Sequence, residues 1–162
     1  MSFANTLAAQ PITRPAQEHA GTSISGGLLT ALGLFANATT AVTRRVVDIS
    51  GDGANNSGFP IVPVRDELVA RGITINGLPI AVEDNQSINY WEPDPGQLKA
   101  YFDNCVIGGP DSFALVVSKS EQFDAVLRRK LMTEIVASNP IAVPASAHAA
   151  THVSFDCSAH GE

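Results

Sequence analysis

The 162-residue sequence lacks several features that would assign it at once to a class of protein. Charged residues make up only 16% of the chain, and the formal net charge is −6. Without an excess of lysine and arginine to follow phosphates, nucleic acids and anionic membranes are excluded as its main partners. No apolar run reaches the length of a membrane span. The 44% hydrophobic content is typical of a folded domain with a core.

Cysteine is also scarce, with only Cys105 and Cys157 in the chain. Their spacing is not that of a CxxC zinc or redox motif. In an oxidising compartment the two could form a disulfide that pins the C-terminal tail to the domain. In a reducing compartment they would be two unrelated thiols. The sequence leaves both alternatives open, because it does not show whether the two residues lie close together.

Helix and strand patterns alternate along the chain and predict an α/β fold with a parallel sheet. Strands are predicted over 46–50, 73–80 and 112–117. Helices are predicted over 2–10, from Ile24 to Phe35 with Thr22 or Ser23 as the cap, around Val64 and Leu68, and over 97–106. A capping box over Ser118–Glu121 opens the last helix, and Asn139 and Pro140 end it. This helix has Phe123, Val126, Leu127, Leu131 and Ile135 on one face and Arg128, Arg129 and Lys130 beside it.

The end of the first strand, Val46–Asn56, is the most informative stretch. Ligands of open α/β sheets bind at the carboxyl ends of strands, and the Asp52 carboxylate there suits a hard cation. Alternatively, Asp52 caps a turn. The asparagines that follow the strands are expected to shape a binding surface at this edge or to satisfy turns; they are Asn55, Asn56 and Asn76. Asp48 lies within the strand and needs a partner.

Several motifs together resemble a known family. Residues 21–28 (GTSISGGL) resemble the GT.I..AL segment of von Willebrand factor type A domains, and Val46–Gly53 resembles their strand that ends in an aspartate–glycine pair. An uncharacterised bacterial branch of that superfamily, a domain-of-unknown-function family, is more closely similar. Its resemblance is carried by three motifs in order, at residues 47–56, 72–80 and 105–110, and covers about residues 16–138.

The resemblance implies a Rossmann-like three-layer sandwich, with a parallel sheet between helices on both faces. It also implies a metal-ion-dependent adhesion site built from a DxSxS motif, a threonine and an aspartate. Thr22 matches the threonine and Asp52 the aspartate, and Ser50 is placed to hydrogen-bond a metal-bound water. The cation would be Mg²⁺, or else Mn²⁺ or Ca²⁺, with a position left for the carboxylate of a protein partner.

The sequence departs from the family pattern ahead of Thr22, because the DxSxS motif and the first strands have no counterpart. We therefore expect residues 1–15 to be a remnant helix and linker. Residues 16–139 are expected to be the C-terminal part of a von Willebrand factor A-like domain, and residues 140–162 an Ala/Ser/His-rich tail. The family resemblance suggests a secreted or periplasmic protein, although residues 1–6 do not have the pattern of a signal peptide.

Three hypotheses about function follow. The first is a non-enzymatic binding module that engages a protein partner, through a divalent cation at an incomplete adhesion site. The second is a Mg²⁺-dependent phosphoryl hydrolase that uses Asp48 and Asp52, although no nucleophile–base pair and no phosphate-binding glycine loop accompanies them. The third is a truncated fragment without metal, whose Val46–Ser50 strand has an exposed edge open to pairing.

Overall fold

A computed structural model describes residues 21–39, 42–82, 94–137 and 156–158, which combine helices with a small parallel sheet in an α/β arrangement. The elements are α1 (Ile24–Ala36), β1 (Arg45–Gly51), α2 (Ile61–Ala70), β2 (Ile73–Pro79), α3 (Pro95–Tyr101) and α4 (Phe123–Ala137). A π-helical turn, Phe102–Val106, continues α3, and a 3-10 turn, Ser120–Gln122, leads into α4. None of the described helices is long and apolar enough to cross a membrane.

The sheet consists of β1 and β2, which pair in parallel with Arg45 opposite Ile73 and Gly51 opposite Pro79. Helix α2 connects the two strands. Every residue of β2 is buried, which explains its nearly continuous apolar run, because a strand covered on both faces has no polar side. These two strands, α1 and α2 are confirmed where the sequence predicted them.

The predicted third strand over 112–117 lies beside β2 but meets it only through isolated bridges. The Gly77 N–H donates to the Phe113 carbonyl (2.9 Å), and the Gly77 carbonyl accepts from the Leu115 N–H (3.1 Å). The next donor on this side of β2 would be Pro79, which has no N–H. The Leu115 carbonyl therefore receives no bond from Pro79, and the segment does not form a continuous strand.

The core lies where the sheet, α1, α2 and the π-helical turn meet. Its largest fully buried apolar side chains include those of Leu28, Leu68, Ile75, Tyr101 and Phe102. Gly77 allows the closest approach, because a Cβ there would lie 2.7 Å from Phe102 Cδ1 and 3.1 Å from Ile107 Cγ2. The absence of a side chain at this residue thus lets the turn pack directly on β2.

The π-helical turn carries Cys105, which is joined to Cys157 by a disulfide with the two Cα atoms 5.7 Å apart. Of the two alternatives that the sequence left open, the structure has the disulfide. The bond closes a sequence separation of 52 residues and attaches residues 156–158 to the core. This part of the predicted tail therefore lies on the domain.

Helix α4 lies on the sheet differently from what its apolar pattern predicts. Leu131 and Ile135, predicted to face inward, are 48% and 66% exposed, whereas Lys130 is only 3% exposed. Lys130 forms ion pairs with Asp48 of β1 and Glu134 of α4. The prediction of the buried face is wrong because the ammonium group, held between two carboxylates, takes the position next to the sheet.

Several predictions concern residues outside the described ranges. These are the remnant helix over 2–10, residues 83–93 of a polar loop predicted over 83–96, and residues 138–155 and 159–162 around the end of the last helix and in the tail.

Candidate functional site

The loop after β1 is bonded to the segment that precedes α1. The Thr22 N–H donates to Asn56 Oδ1 (2.6 Å), and the Thr22 carbonyl accepts from the backbone N–H groups of Asn56 (3.0 Å) and Ser57 (3.2 Å). These three bonds join segments that lie 34 residues apart in the sequence. The start of α1 and the carboxyl end of β1 therefore form one continuous edge, as the parallel-sheet interpretation predicts.

Asn55 makes a second set of bonds across the same edge. Its Oδ1 accepts from the Ser25 N–H (2.9 Å), and its Nδ2 donates to the Phe59 carbonyl (3.1 Å). Its backbone N–H donates to the hydroxyl of Tyr101 (3.1 Å). We predicted that Asn55 and Asn56 either shape a binding surface or satisfy turns. The structure places both at the edge, with their amides bonded to neighbouring segments of the chain.

Tyr101 supports the loop from beneath and was not singled out for its hydroxyl in the sequence. Its side chain is 1% exposed. Burial raises the pKa of the Tyr101 hydroxyl, and the N–H that Asn55 donates to it acts in the opposite direction. The sequence signal was only an aromatic residue on the inward side of a short helix. Nothing in that pattern indicated which backbone group its hydroxyl would bind.

Thr22 and Asp52, the two ligands expected from the resemblance, lie at this edge. The cap of α1 is Ser23, whose hydroxyl accepts from the Gly26 N–H (3.2 Å). The Thr22 hydroxyl is therefore not used as the cap. It faces the residue after Asp52, because a Cβ built on Gly53 would lie 3.8 Å from Thr22 Oγ1.

The Asp52 carboxylate is exposed and accepts no hydrogen bond from any part of the chain that the structure describes. Ser50, also exposed, lies one residue before the end of β1. The described residues contain no group of three histidine, cysteine, aspartate or glutamate side chains that could hold a metal ion. Side-chain oxygens offered at this edge include the Asp52 carboxylate and the Thr22 hydroxyl.

Asn76 was predicted to lie at the same edge as Asn55 and Asn56, and this prediction is wrong. It is fully buried in the middle of β2, opposite Asp48 of β1, and does not reach the edge. Its Nδ2 donates to Glu134 Oε1 (3.3 Å), and its Oδ1 accepts from the Phe113 N–H (3.3 Å). Asn76 therefore bonds the sheet to α4 and to the neighbouring segment. Its position inside a strand, where side chains alternate between faces, places it away from the loop.

Asp48 was expected to need a partner because it lies within a strand, and that partner is Lys130. Lys130 approaches it from α4 and also pairs with Glu134, so that Asp48, Lys130, Glu134 and Asn76 form one polar cluster on this face of the sheet. The sequence pattern missed this cluster, because 82 residues separate Asp48 from Lys130. Asp48 is thus engaged in holding a helix.

A cavity of about 540 Å³ opens beside the edge. One wall is the loop after β1 together with the start of α2, from Asn55 to Val62, and the other wall is Asp156–Ser158. The Phe59 side chain in this loop is 65% exposed. The disulfide to Cys105 holds the second wall in place, since it anchors Cys157.

In a comparison with protein families, the family model described as "Protein of unknown function (DUF1194)" matches residues 1–139. No curated protein and no solved structure matches the chain.

Proposed function

Because the chain belongs to the DUF1194 family, whose function is unknown, we propose from its own geometry that it is a binding module with a von Willebrand factor A-like fold. In this proposal the sheet of β1 and β2 is part of a larger Rossmann-like sandwich. The parallel pairing of the two strands through α2 supports it, as does the position of helices and turns on both faces of β2.

The single observation that carries the proposal is the approach of the Thr22 hydroxyl to the residue next to Asp52. The segments that carry the Thr22 hydroxyl and the Asp52 carboxylate are joined at the carboxyl edge of the sheet by the bonds of Asn55 and Asn56, which supports the proposal. Asp52 and Thr22 would hold a divalent cation, Mg²⁺ or else Mn²⁺ or Ca²⁺, and Ser50 would hydrogen-bond one of its waters. The cation would then supply a positive site for the carboxylate of a protein partner.

We propose a non-enzymatic role rather than hydrolysis by Asp48 and Asp52. Asp48 is engaged by Lys130, so a phosphoryl-transfer metal would have to compete with that ion pair. Measurement of phosphate ester hydrolysis with Mg²⁺ at high protein concentration distinguishes the two roles. Turnover that is lost in Asp48→Asn and in Asp52→Asn would favour the hydrolase.

We further propose that the protein works in an oxidising compartment, as a secreted or periplasmic protein. The Cys105–Cys157 disulfide supports this location, because disulfides persist outside the reducing cytosol. The test is the state of these two cysteines in protein isolated without reductant, measured by intact mass after thiol alkylation.

The cation site is tested by titrating Mn²⁺ into the wild-type protein and two variants, with binding followed by the electron paramagnetic resonance of free Mn²⁺. With so few protein ligands, we expect a dissociation constant of about 1 mM. Asp52→Asn removes the charged ligand and should weaken binding by roughly tenfold or more, which corresponds to about 1.4 kcal/mol or more. Thr22→Ala should weaken binding less, because it removes a neutral ligand.

The matched control is Asp124→Asn, which removes an exposed carboxylate on α4 far along the chain from the edge. It should leave Mn²⁺ affinity unchanged. Equal Mn²⁺ affinity in Asp52→Asn and the wild type would exclude the proposed site. A wild-type protein that binds no Mn²⁺ would favour the third hypothesis, a domain whose metal function is lost.

A further inference from the structure

The Asp52 carboxylate lies in a short span of the chain that is fixed at both ends. Before it, the Gly51 carbonyl accepts from the backbone N–H of the residue after β2 (2.8 Å), which ties the last residue of β1 to the sheet. After it, the Asn55 N–H donates to the Tyr101 hydroxyl (3.1 Å). Residues 52–54 lie between these two points, so the groups that hold Gly51 and Asn55 set the position of the carboxylate.

Two consecutive buried aromatic residues reach both ends of this span. Tyr101 is the last residue of α3, and Phe102 is the first of the π-helical turn. The Tyr101 hydroxyl binds the Asn55 N–H. The Phe102 ring packs beside Gly51, since a Cβ built on that glycine would lie 3.7 Å from Phe102 Cζ. Neighbouring side chains of a helix point about 100° apart around its axis, which directs these two to different ends of the span.

The turn that carries these residues is itself held by its neighbours. The Phe102 carbonyl accepts from the Ile107 N–H (3.0 Å), which is the π-helical bond. The Asn104 carbonyl accepts from the Arg65 side chain of α2 (2.8 Å), and Cys105 is in the disulfide. Turns of this kind occur frequently at functional sites. A rigid support therefore lies beneath the loop.

We propose that Tyr101 is a positioning residue of the cation site, a role that rests on the function proposed above. Its hydroxyl, with the Phe102 ring at the other end of the span, orders residues 52–54 before a cation arrives. A ligand that is ordered in advance loses less conformational freedom on binding. A site with few protein ligands depends on this ordering most, because it gains little binding energy to offset the loss.

The competing explanation is that Tyr101 serves only to fill the core. Its hydroxyl distinguishes the two roles, because Tyr101→Phe keeps the ring in place and removes the bond to the loop. In this variant Asn55 keeps the hydrogen bonds of its side chain to the Ser25 N–H and the Phe59 carbonyl. The loop should therefore remain folded but loosen at its backbone, which moves the Asp52 carboxylate.

The first test is a titration of the full chain with Mn²⁺, followed by electron paramagnetic resonance. Tyr101→Phe should raise the dissociation constant roughly threefold to tenfold, the range expected when one neutral hydrogen bond no longer orders the loop. The matched control is Thr74→Val, because the buried Thr74 hydroxyl donates to the Pro110 carbonyl (3.1 Å) at the opposite end of the sheet. This control also loses a buried hydroxyl bond and should keep the Mn²⁺ affinity of the wild type.

A double variant shows whether Tyr101 acts through Asp52. In the Asp52→Asn background the charged ligand is already gone, so adding Tyr101→Phe should raise the dissociation constant by less than about twofold. A residue with a merely structural role would instead add its full effect to that of Asp52→Asn.

Nuclear magnetic resonance provides a signature that general destabilisation does not produce. The chain has two tyrosines, so labelling tyrosine Cζ with ¹³C gives two resonances, and Tyr101→Phe assigns them. Because the Tyr101 hydroxyl binds the loop, saturation with Mg²⁺ should shift its Cζ resonance in the native chain. The same addition should leave this resonance unchanged in Asp52→Asn.

The outcomes separate this role from the cation site itself. If Asp52→Asn weakens Mn²⁺ binding but Tyr101→Phe does not, the positioning role is overturned and the cation site stands. Equal weakening in Tyr101→Phe and Thr74→Val, additive losses in the double variant, or a Tyr101 resonance that does not shift with Mg²⁺ would also overturn it. If the wild type binds no Mn²⁺, or binds it as tightly after Asp52→Asn, both proposals fail.

Discussion

The burial of Lys130 between Asp48 and Glu134 leads to the sharpest prediction about stability. Replacing Lys130 by Met keeps an unbranched side chain of similar length in the same place and removes the charge. Removing one member of a buried ion pair usually costs about 3–5 kcal/mol, because the remaining charge is left without a partner away from water.

The exposure of the two carboxylates sets the size of the effect within this range. The Asp48 side chain is 44% exposed and regains water when Lys130 is lost, so it contributes little to the cost. Glu134 is only 15% exposed, although it still accepts a hydrogen bond from Asn76. We therefore expect Lys130→Met to lower the free energy of unfolding by about 3 kcal/mol, at the lower end of the usual range.

The assay is urea unfolding followed by circular dichroism, with Lys99→Met as the matched control. Lys99 also pairs with a carboxylate four residues later, Asp103, but their side chains are 42% and 37% exposed. An exposed pair of this kind contributes less than about 1 kcal/mol. The double variant Lys130→Met/Glu134→Gln should lose less than the sum of its two single variants, because the uncompensated charge is gone.

Equal losses in Lys130→Met and Lys99→Met would refute the reasoning. That result would mean that Lys130 is surrounded by water in solution and that α4 is not held to the sheet by a buried charge. Additive losses in the double variant would mean that Lys130 and Glu134 do not interact.

Three further predictions concern the loop, the disulfide and the sheet. Tyr101→Phe leaves the N–H group of Asn55 unpaired and should cost about 1–3 kcal/mol in urea unfolding. Burial raises the pKa of the Tyr101 hydroxyl in the folded protein, so the unfolded chain ionises first as the pH rises. The wild type should therefore lose stability above about pH 10, and the variant should lose less. Changing Cys105 and Cys157 together to Ala removes the disulfide, which links residues 52 apart in the sequence, and should lower the free energy of unfolding by about 4 kcal/mol. The thermal midpoint should fall accordingly, and an unchanged midpoint would contradict the disulfide. Gly77→Ala places a methyl group 2.7 Å from the neighbouring aromatic ring and should cost about 1–3 kcal/mol. Gly33→Ala, in the last turn of α1, places a methyl group that meets nothing within 4 Å and should be neutral or stabilising.

The spacing of apolar residues along the sequence was sufficient to locate the helices and strands that bury one continuous face. The apolar spacing from Ile24 located α1, and the apolar runs located β1 and β2, because burial against a core imposes the helix or strand period on the sequence directly. The edge with Thr22 and Asp52 was also predictable, since parallel strands present their carboxyl ends together and the resemblance pointed to the same residues.

Features that depend on contacts between distant residues were decided by the tertiary structure alone. The apolar pattern of α4 predicted Leu131 and Ile135 inside, yet the structure buries Lys130, because carboxylates of two elements meet there. Pro79 interrupts the third strand only because that side of β2 faces it.

The sequence by itself determined α1, α2, β1 and β2 and the edge at which the polar loop lies, but it also predicted a continuous third strand that Pro79 prevents. Only the tertiary structure decided which polar side chains are used inside the domain, and which remain for a ligand. Asn76 and Asp52 follow similar patterns in the sequence, but Asn76 is buried in a hydrogen-bonded cluster and Asp52 is exposed at the edge. The physical reason is that local periodicity reports the face on which a residue lies, whereas the partner of a polar group is set by the packing of distant segments.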